Sequence, residues 1–130
     1  MSRRVLVVED ERLHRELLRE LLEQECCQVR MATTAEDGLR LATTDRPNLI
    51  LLDLQLPGMS GYEAARRLKA DPATAAIPVV AVTAAAMRGD DRRALDAGCD
   101  AYLTKPLNHH MFREVLRRFL PGETDQGSGR

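Results

Sequence analysis

The deciding stretch of this sequence is Asn48-Leu49-Ile50-Leu51-Leu52-Asp53-Leu54-Gln55-Leu56-Pro57-Gly58-Met59-Ser60-Gly61. It begins with a run of large aliphatic residues, reaches an acid at Asp53 and then enters a Pro-Gly turn. An uninterrupted aliphatic run bounded by turn residues predicts a strand that is buried on both faces. Asp53 then stands at the carboxyl end of that strand, the edge of an open α/β sheet where ligands bind and chemistry occurs. Asp53 is therefore the first candidate for a functional residue.

The composition is that of an ordinary globular domain. Of its 130 residues, 44% are hydrophobic and 30% are charged, and the net charge is -1. The length predicts one domain, and the near-zero charge gives no reason to expect nucleic acid or a membrane as a direct partner. Cys26, Cys27 and Cys99 lack metal-site spacing and suit a reducing compartment. Because the N-terminus is also a poor signal peptide, we expect a cytoplasmic protein.

Strand-like and helix-like patterns alternate along the chain. Besides the central strand, strands are predicted at residues 5–8, 28–32, 77–82 and 100–104. Helices are predicted at residues 12–23, from a Thr34 cap to just before Pro47, at 62–70, at 84–97, and from an Asn108 cap to Phe119. Five strand-helix units with short connections predict an α/β fold, namely a doubly wound five-stranded parallel sheet with helices on both faces.

Two helices are expected to bury an apolar stripe at helical spacing. In the first helix the stripe consists of Leu13, Leu17, Leu18, Leu21 and Leu22, and in the last it consists of Met111, Phe112, Val115, Leu116 and Phe119. The helix at 84–97 is weaker, since Gly89 within it costs about 1 kcal/mol. The polar, glycine-rich sequence after Leu120 predicts a domain at 1–120 followed by a flexible tail at 121–130.

Polar residues follow four of the five predicted strands. Glu9 and Asp10 follow the first strand, Asp53 ends the third, Thr83 ends the fourth, and Lys105 follows the fifth. In a parallel sheet these ends share one edge, so the side chains should converge. Clustered carboxylates repel one another unless a cation intervenes, and all-oxygen ligands suit Mg²⁺. A lysine and a hydroxyl nearby indicate Mg²⁺-assisted phosphoryl chemistry, with Asp53 as nucleophile or acceptor.

Four motifs in this order resemble the receiver domain of two-component response regulators, the CheY-like superfamily. The motifs are Val7-Val8-Glu9-Asp10-Glu11, Asp53-Leu54-Gln55-Leu56-Pro57-Gly58-Met59-Ser60-Gly61, Val82-Thr83-Ala84 and Lys105-Pro106. The resemblance spans roughly residues 3–120 and is strongest to single-domain regulators and to receivers of hybrid histidine kinases. It implies the flavodoxin-like receiver fold with strand order 2-1-3-4-5.

The resemblance also implies a metal site and an acceptor. Asp53 would accept a phosphoryl group from a phosphohistidine on a histidine kinase or a histidine phosphotransfer protein. Asp10, Asp53 and the backbone carbonyl of Gln55 would ligate Mg²⁺, and Glu9 would act through a metal-bound water.

A second set of residues would bind the phosphoryl group and respond to it. Lys105 would pair with the phosphoryl oxygens, and Pro106 would follow it through a cis peptide bond. Thr83 would turn its hydroxyl to the group, small Ala84 would leave access open, and Tyr102 would move between outward and inward positions. The surface of helix 4, strand 5 and helix 5 would then change partners. The resemblance thus implies a signalling module that catalyses only its own phosphorylation and dephosphorylation, with an unknown downstream effector.

Two other functions use similar residues. A haloacid-dehalogenase-like Mg²⁺ phosphatase would need an acid two residues after the nucleophile, where this chain has Gln55. A flavodoxin-like flavin carrier would need a Ser/Thr/Gly-rich phosphate loop after strand one, where Glu9-Asp10-Glu11 would repel a phosphate without a metal. His14 is expected to be solvated and part of a partner-facing surface, and His109 and His110 are expected at the surface.

Overall fold

Strands and helices alternate regularly in the computed structural model, which describes residues 3–84 and 90–120. The strands are β1 Arg4–Val8, β2 Gln28–Ala32, β3 Leu49–Asp53, β4 Val79–Thr83 and β5 Ala101–Thr104. The helices are α1 Arg12–Gln24, α2 Ala35–Asp45, α3 Gly61–Ala70, α4 Asp90–Asp96 and α5 His109–Phe119. The predicted succession of strand-helix units is confirmed over the described residues.

The strands form one parallel sheet in the order β2-β1-β3-β4-β5. Every residue of β3 and β4 is buried, whereas β2 at the edge is largely exposed or half-buried. An aliphatic run without polar alternation is typical of a strand covered on both faces. The deciding stretch therefore occupies the centre of the sheet, as predicted, with Asp53 at its carboxyl end.

The two faces of the sheet carry separate hydrophobic cores. Because side chains alternate along a strand, Leu6 and Ile50 pack in one core while Val5 and Leu49 pack in the other. Both cores are mainly aliphatic, and Phe112 is the large aromatic side chain buried in the second. Burial raises the pKa of the Cys99 thiol to about 11, so this cysteine behaves as a small apolar residue at neutral pH.

Three predicted helix boundaries depend on local chemistry that the structure shows directly. The Thr34 hydroxyl accepts a hydrogen bond from Asp37 N at 3.1 Å, and the Asn108 amide oxygen accepts one from Met111 N at 3.0 Å. Both are helix N-caps, which satisfy amides that have no partner inside the helix. Helix α2 ends at Asp45, and Arg46, the residue before Pro47, adopts a left-handed conformation.

Part of the predicted apolar stripes is exposed. Leu13, Leu17 and Met111 are 71%, 40% and 51% exposed, respectively, so their predicted burial was wrong. Leu13 and Met111 lie in the first turns of helices that start beside the carboxyl edge of the sheet, and Leu17 lies one turn after Leu13. A helical spacing shows which residues share a face, but it does not show how far the sheet beneath that face extends.

Two element boundaries also differ from the prediction. Strand β4 begins at Val79 because Pro78 has no amide proton to donate to the ladder. Ala84 lies in a bend rather than in a helix. The remainder of the predicted start of that helix, residues 85–89 with Gly89, and the predicted tail at 121–130 lie outside the described residues.

Candidate functional site

The carboxyl ends of β1, β3, β4 and β5 meet at one edge of the sheet. The strand register pairs Val8 with Leu52 and Asp53 with Val82, and it pairs Thr83 with Thr104. Lys105 N donates to Thr83 O at 2.9 Å, which continues the ladder one residue past β5. The polar residues predicted at this edge are therefore brought together.

Asp53 is nearly buried, with 5% of its surface exposed. Its Oδ1 accepts a hydrogen bond from Gln55 N at 2.9 Å, and its Oδ2 lies 3.6 Å from Lys105 Nζ. The start of α3 packs tightly behind it: a Cβ on Gly61 would lie 2.3 Å from Asp53 O. Only glycine permits this approach, which fixes the loop between β3 and α3 against the acid.

Glu9 is the most buried acid of the site, at 1% exposure. Its Oε1 accepts from Lys105 Nζ at 3.0 Å, and its Oε2 accepts from Glu11 N at 3.1 Å. Burial raises the pKa of Glu9, and the negative charge of Asp53 adds to the effect, while the hydrogen bond from Lys105 opposes it. The folded protein therefore holds a proton on Glu9 more tightly than an exposed glutamate would.

The carboxylates of Glu9, Asp10 and Asp53 fit a small divalent cation. Each offers an oxygen, and these atoms all lie within 4.8 Å of one another. Asp10 is exposed, so water can complete the coordination shell. All-oxygen donors with room for water are the environment that Mg²⁺ prefers. The Gln55 peptide adjoins this cluster through its hydrogen bond to Asp53.

Among the described residues, Lys105 is the cation that faces these acids, and its side chain is 12% exposed. The peptide bond between Lys105 and Pro106 is cis, as the resemblance implies. Thr83 is 1% exposed at the end of β4, and Ala84 after it is exposed. Tyr102 is 38% exposed.

Two side chains of α1 contact the site without having been predicted to do so. Arg15 Nη1 donates to the carbonyl oxygens of Glu9 at 3.2 Å and Asp10 at 2.8 Å, and so clamps the loop that carries both acids. His14 Nδ1 lies 3.0 Å from Lys105 Nζ. The sequence signal for these contacts was the position of His14 and Arg15 in the first turns of a helix that begins just after the acids. His110, by contrast, is at the surface as predicted, with a side chain that is 75% exposed.

The strand order and the helices on both faces define the class: this is a flavodoxin-like α/β protein with the receiver fold. The model of the response regulator receiver domain family matches residues 5–117, and the chain belongs to that family. It is thus a receiver domain of two-component signalling, as the four motifs indicated. Among the described residues, the helices are too short or too polar to cross a membrane.

Relatives and solved structures support this assignment. The polar-differentiation response regulator DivK of Brucella anthropi is 41% identical over 120 residues, which cover 92% of this chain and 98% of that protein. The receiver domain of the sensor histidine kinase PA1611 from Pseudomonas aeruginosa, crystallised with magnesium coordinated in its active site cleft, is 29% identical. It superimposes with a TM-score of 0.86, covering 94% of this chain and 100% of that one.

A third match comes from the co-crystal structure of the Saccharomyces cerevisiae histidine phosphotransfer protein Ypd1 with the receiver domain of its downstream response regulator Ssk1. The matching chain is 30% identical to this one and superimposes with a TM-score of 0.81. The match covers 91% of this chain and 88% of that one. Both single regulators and receivers of histidine kinases are therefore represented among the similar proteins.

Proposed function

We propose that this chain is the phosphoacceptor module of a two-component phosphorelay. A carboxylate oxygen of Asp53 attacks the phosphorus of a phosphohistidine on a histidine kinase or histidine phosphotransfer protein. The N–P bond breaks, an acyl phosphate forms on Asp53, and the donor imidazole recovers a proton. The observation that carries this proposal is the nearly buried Asp53 between an acid cluster and the Lys105 ammonium.

The acid cluster is the proposed Mg²⁺ site. Glu9, Asp10, Asp53 and the Gln55 carbonyl would hold the ion, with Glu9 acting through a bound water. When bound, Mg²⁺ offsets the negative charge shared by the acids and the incoming phosphoryl oxygens. This assignment is supported by the convergence of three carboxylates, whose oxygens lie within 4.8 Å of one another.

Lys105, Thr83 and Ala84 are the proposed phosphoryl-binding residues. Lys105 already points an ammonium at Asp53 and is anchored through its backbone to Thr83. A charge-assisted hydrogen bond from Lys105 stabilises the phosphoryl oxygens as negative charge arrives. The exposed Ala84 leaves the approach to Asp53 open, and Pro106 fixes the chain that follows Lys105.

The chain catalyses only reactions of its own Asp53 in this proposal. A phosphatase acting on separate substrates needs a second acid as a proton donor to the leaving group. Gln55, two residues after Asp53, is exposed and donates its backbone amide to the acid. An amide side chain there cannot supply that proton, so the phosphoryl group stays on Asp53 until water removes it.

Phosphorylation is proposed to alter the surface of α4, β5 and α5 for an effector that is still to be identified. The Thr83 hydroxyl would move to the phosphoryl group, and Tyr102 on the neighbouring strand would turn inward into the space released. Exposed apolar side chains on all three elements support a partner-binding role for this surface: Leu95, Tyr102 and Met111.

The donor is proposed to dock at α1. Leu13 and Leu17 are exposed there. Beside Leu17 a small apolar groove of about 90 Å³ extends to Lys105, Pro106 and Leu107. Replacing Leu13 by Asp should slow transfer from a phosphohistidine protein far more than phosphorylation by acetyl phosphate, because only the protein donor needs a docking surface.

A cytoplasmic location is also proposed, since all three cysteines are reduced and receiver domains meet kinases inside the cell. The domain is proposed to end near residue 120, with a polar tail beyond it. Neither nucleic acid nor a membrane is proposed as a direct partner, given the net charge of -1.

Intact-mass spectrometry tests the proposed function. Incubation with acetyl phosphate and Mg²⁺ should add one phosphoryl group, and both EDTA and Asp53→Asn should prevent the addition. An unchanged mass in the parent chain, or an adduct that persists in Asp53→Asn, rules the proposal out.

A further inference from the structure

The Lys105 ammonium is surrounded by acceptors on three sides. Its Nζ lies 3.0 Å from Glu9 Oε1, 3.0 Å from His14 Nδ1 and 3.6 Å from Asp53 Oδ2. An ammonium has three protons and needs three acceptors. Where His14 Nδ1 accepts, Glu9 and His14 take two of the N–H bonds and leave the third directed at Asp53.

His14 has a second neighbour that competes for the same atom. Its Nδ1 is 2.6 Å from Glu11 Oε1 as well as 3.0 Å from Lys105 Nζ. Lys105 can only donate and an ionised Glu11 can only accept, so Nδ1 serves one of them with a lone pair or the other with a proton. It cannot serve both at once.

Burial decides which neighbour depends on His14. The Glu11 side chain is 58% exposed, and water can replace His14 as its partner. The Lys105 side chain is 12% exposed, and an ammonium that loses an acceptor in such surroundings is destabilised. The pairing of Nδ1 with Lys105 is therefore the more consequential of the two.

We propose that His14 is a positioning residue for Lys105. It fixes the ammonium together with Glu9 so that the remaining N–H faces the place where the phosphoryl group forms on Asp53. This rests on the proposed function of Asp53 and deepens it. A lysine side chain has many rotamers, and an unanchored one must be ordered during the reaction. Glu11 opposes His14 by drawing Nδ1 away from Lys105.

Three variants give different expected results with acetyl phosphate, a donor that needs no docking surface. In His14→Leu, loss of the acceptor should lower the phosphorylation rate constant about three- to ten-fold, the range of one hydrogen bond. His14→Asn should restore the parent rate, because its amide can accept from Lys105 and donate to Glu11. Glu11→Ala should match or exceed the parent, because Nδ1 is then left to Lys105.

His110→Leu is the matched control, since it also removes a helical histidine with a glutamate neighbour, here Glu114 at 4.0 Å. It should leave the rate at the parent value. A second readout is ¹⁹F NMR of the beryllofluoride adduct, which mimics the phosphoryl group. His14→Leu should shift the resonance of the fluorine that accepts from Lys105, which a purely structural change on α1 would not do selectively.

The results separate this inference from the proposed function. If the parent is phosphorylated but His14→Leu has the parent rate and spectrum, His14 does not position Lys105. The same conclusion follows if His14→Asn is as slow as His14→Leu. If the parent itself takes no phosphoryl group while remaining folded, the proposed function fails and this inference fails with it.

Discussion

The Lys105 ammonium lies 3.6 Å from Asp53 Oδ2, although Asp53 ends β3 and Lys105 follows β5. It is nearer still, at 3.0 Å, to Glu9 Oε1. One lysine thus faces two buried carboxylates. This relationship holds the site together and leaves negative charge for a metal ion to neutralise.

Replacing Lys105 by Met should destabilise the fold in the absence of metal. Removing the cation leaves the carboxylates of Glu9 and Asp53 buried without the ammonium that pairs with them. In comparable buried ion pairs, losing one partner costs about 3 kcal/mol of stability. Adding Mg²⁺ should recover much of the loss, because the ion supplies charge to the same acids. Urea unfolding with EDTA and with Mg²⁺ measures both effects.

Lys69→Met is the control for that experiment. Lys69 is also partly buried and forms an ion pair with Asp100 at 3.0 Å, remote from the acid cluster. The Lys69→Met variant should be less stable than the parent, and Mg²⁺ should not restore its stability. Equal responses of the two variants to Mg²⁺ would show that the ion does not bind beside Lys105.

Replacing Asp10 by Asn should weaken Mg²⁺ binding about ten-fold or more, the scale seen when a metal site loses a supporting carboxylate. Asp10 is exposed, so the fold should tolerate the change. Calorimetric titration with MgCl₂ measures the affinity. Asp37→Asn, at a side chain of α2 that is 51% exposed, should keep the parent affinity. An unchanged affinity in Asp10→Asn would remove Asp10 from the site.

The raised pKa of Glu9 predicts the sign of a pH effect. Burial raises this pKa above 4.5, so the folded state holds the proton more tightly than the unfolded state. As pH rises from 4.5 to the folded pKa, Glu9 loses its proton in the unfolded state before it does so in the folded state. The folded state therefore becomes less stable over this range. With EDTA present, Glu9→Gln should therefore gain stability relative to the parent as pH rises above 4.5.

Glu63→Gln should show the opposite sign in the same unfolding series. A hydrogen bond from Arg67 lowers the pKa of Glu63, so its ionised form favours the fold above 4.5, and that contribution is lost as pH falls. Relative to the parent, Glu63→Gln should lose stability as pH rises. A common sign for both variants contradicts the electrostatic account of the site.

Thr83→Ala should separate phosphorylation from the conformational response. The variant should still accept a phosphoryl group on Asp53. Phosphorylation should then change the amide NMR chemical shifts in α4, β5 and α5 less than in the parent, because the hydroxyl that would move to the phosphoryl group is gone. Thr83→Ser keeps the hydroxyl and should respond like the parent. Shifts of parent size in Thr83→Ala would exclude Thr83 from the switch.

Much of the fold could be predicted from patterns that depend on local chemistry. The unbroken aliphatic run of residues 49–52 required a strand covered on both faces, and β3 is buried along its whole length. The caps at Thr34 and Asn108 were correct because each depends on a hydrogen bond of its own side chain. The stop before Pro47 was correct because the proline ring restricts the backbone of the residue before it.

What the sequence did not predict depends on how far neighbouring elements extend. Leu13 has the same helical spacing as Leu21, yet Leu13 is exposed and Leu21 is buried. The convergence of Asp53 and Lys105 could be expected because parallel strands share an edge. The contact between His14 and Lys105 could not, since it depends on the angle at which α1 leaves the acid loop.

Chemical mapping of the modified residue tests the central claim most directly. Borohydride reduces an acyl phosphate on aspartate to an alcohol, which converts the residue to homoserine. After treatment with acetyl phosphate and Mg²⁺ followed by borohydride, peptide mass spectrometry should find homoserine at position 53 and at no other acid. Homoserine elsewhere, or phosphate retained on His14 instead, would contradict the account.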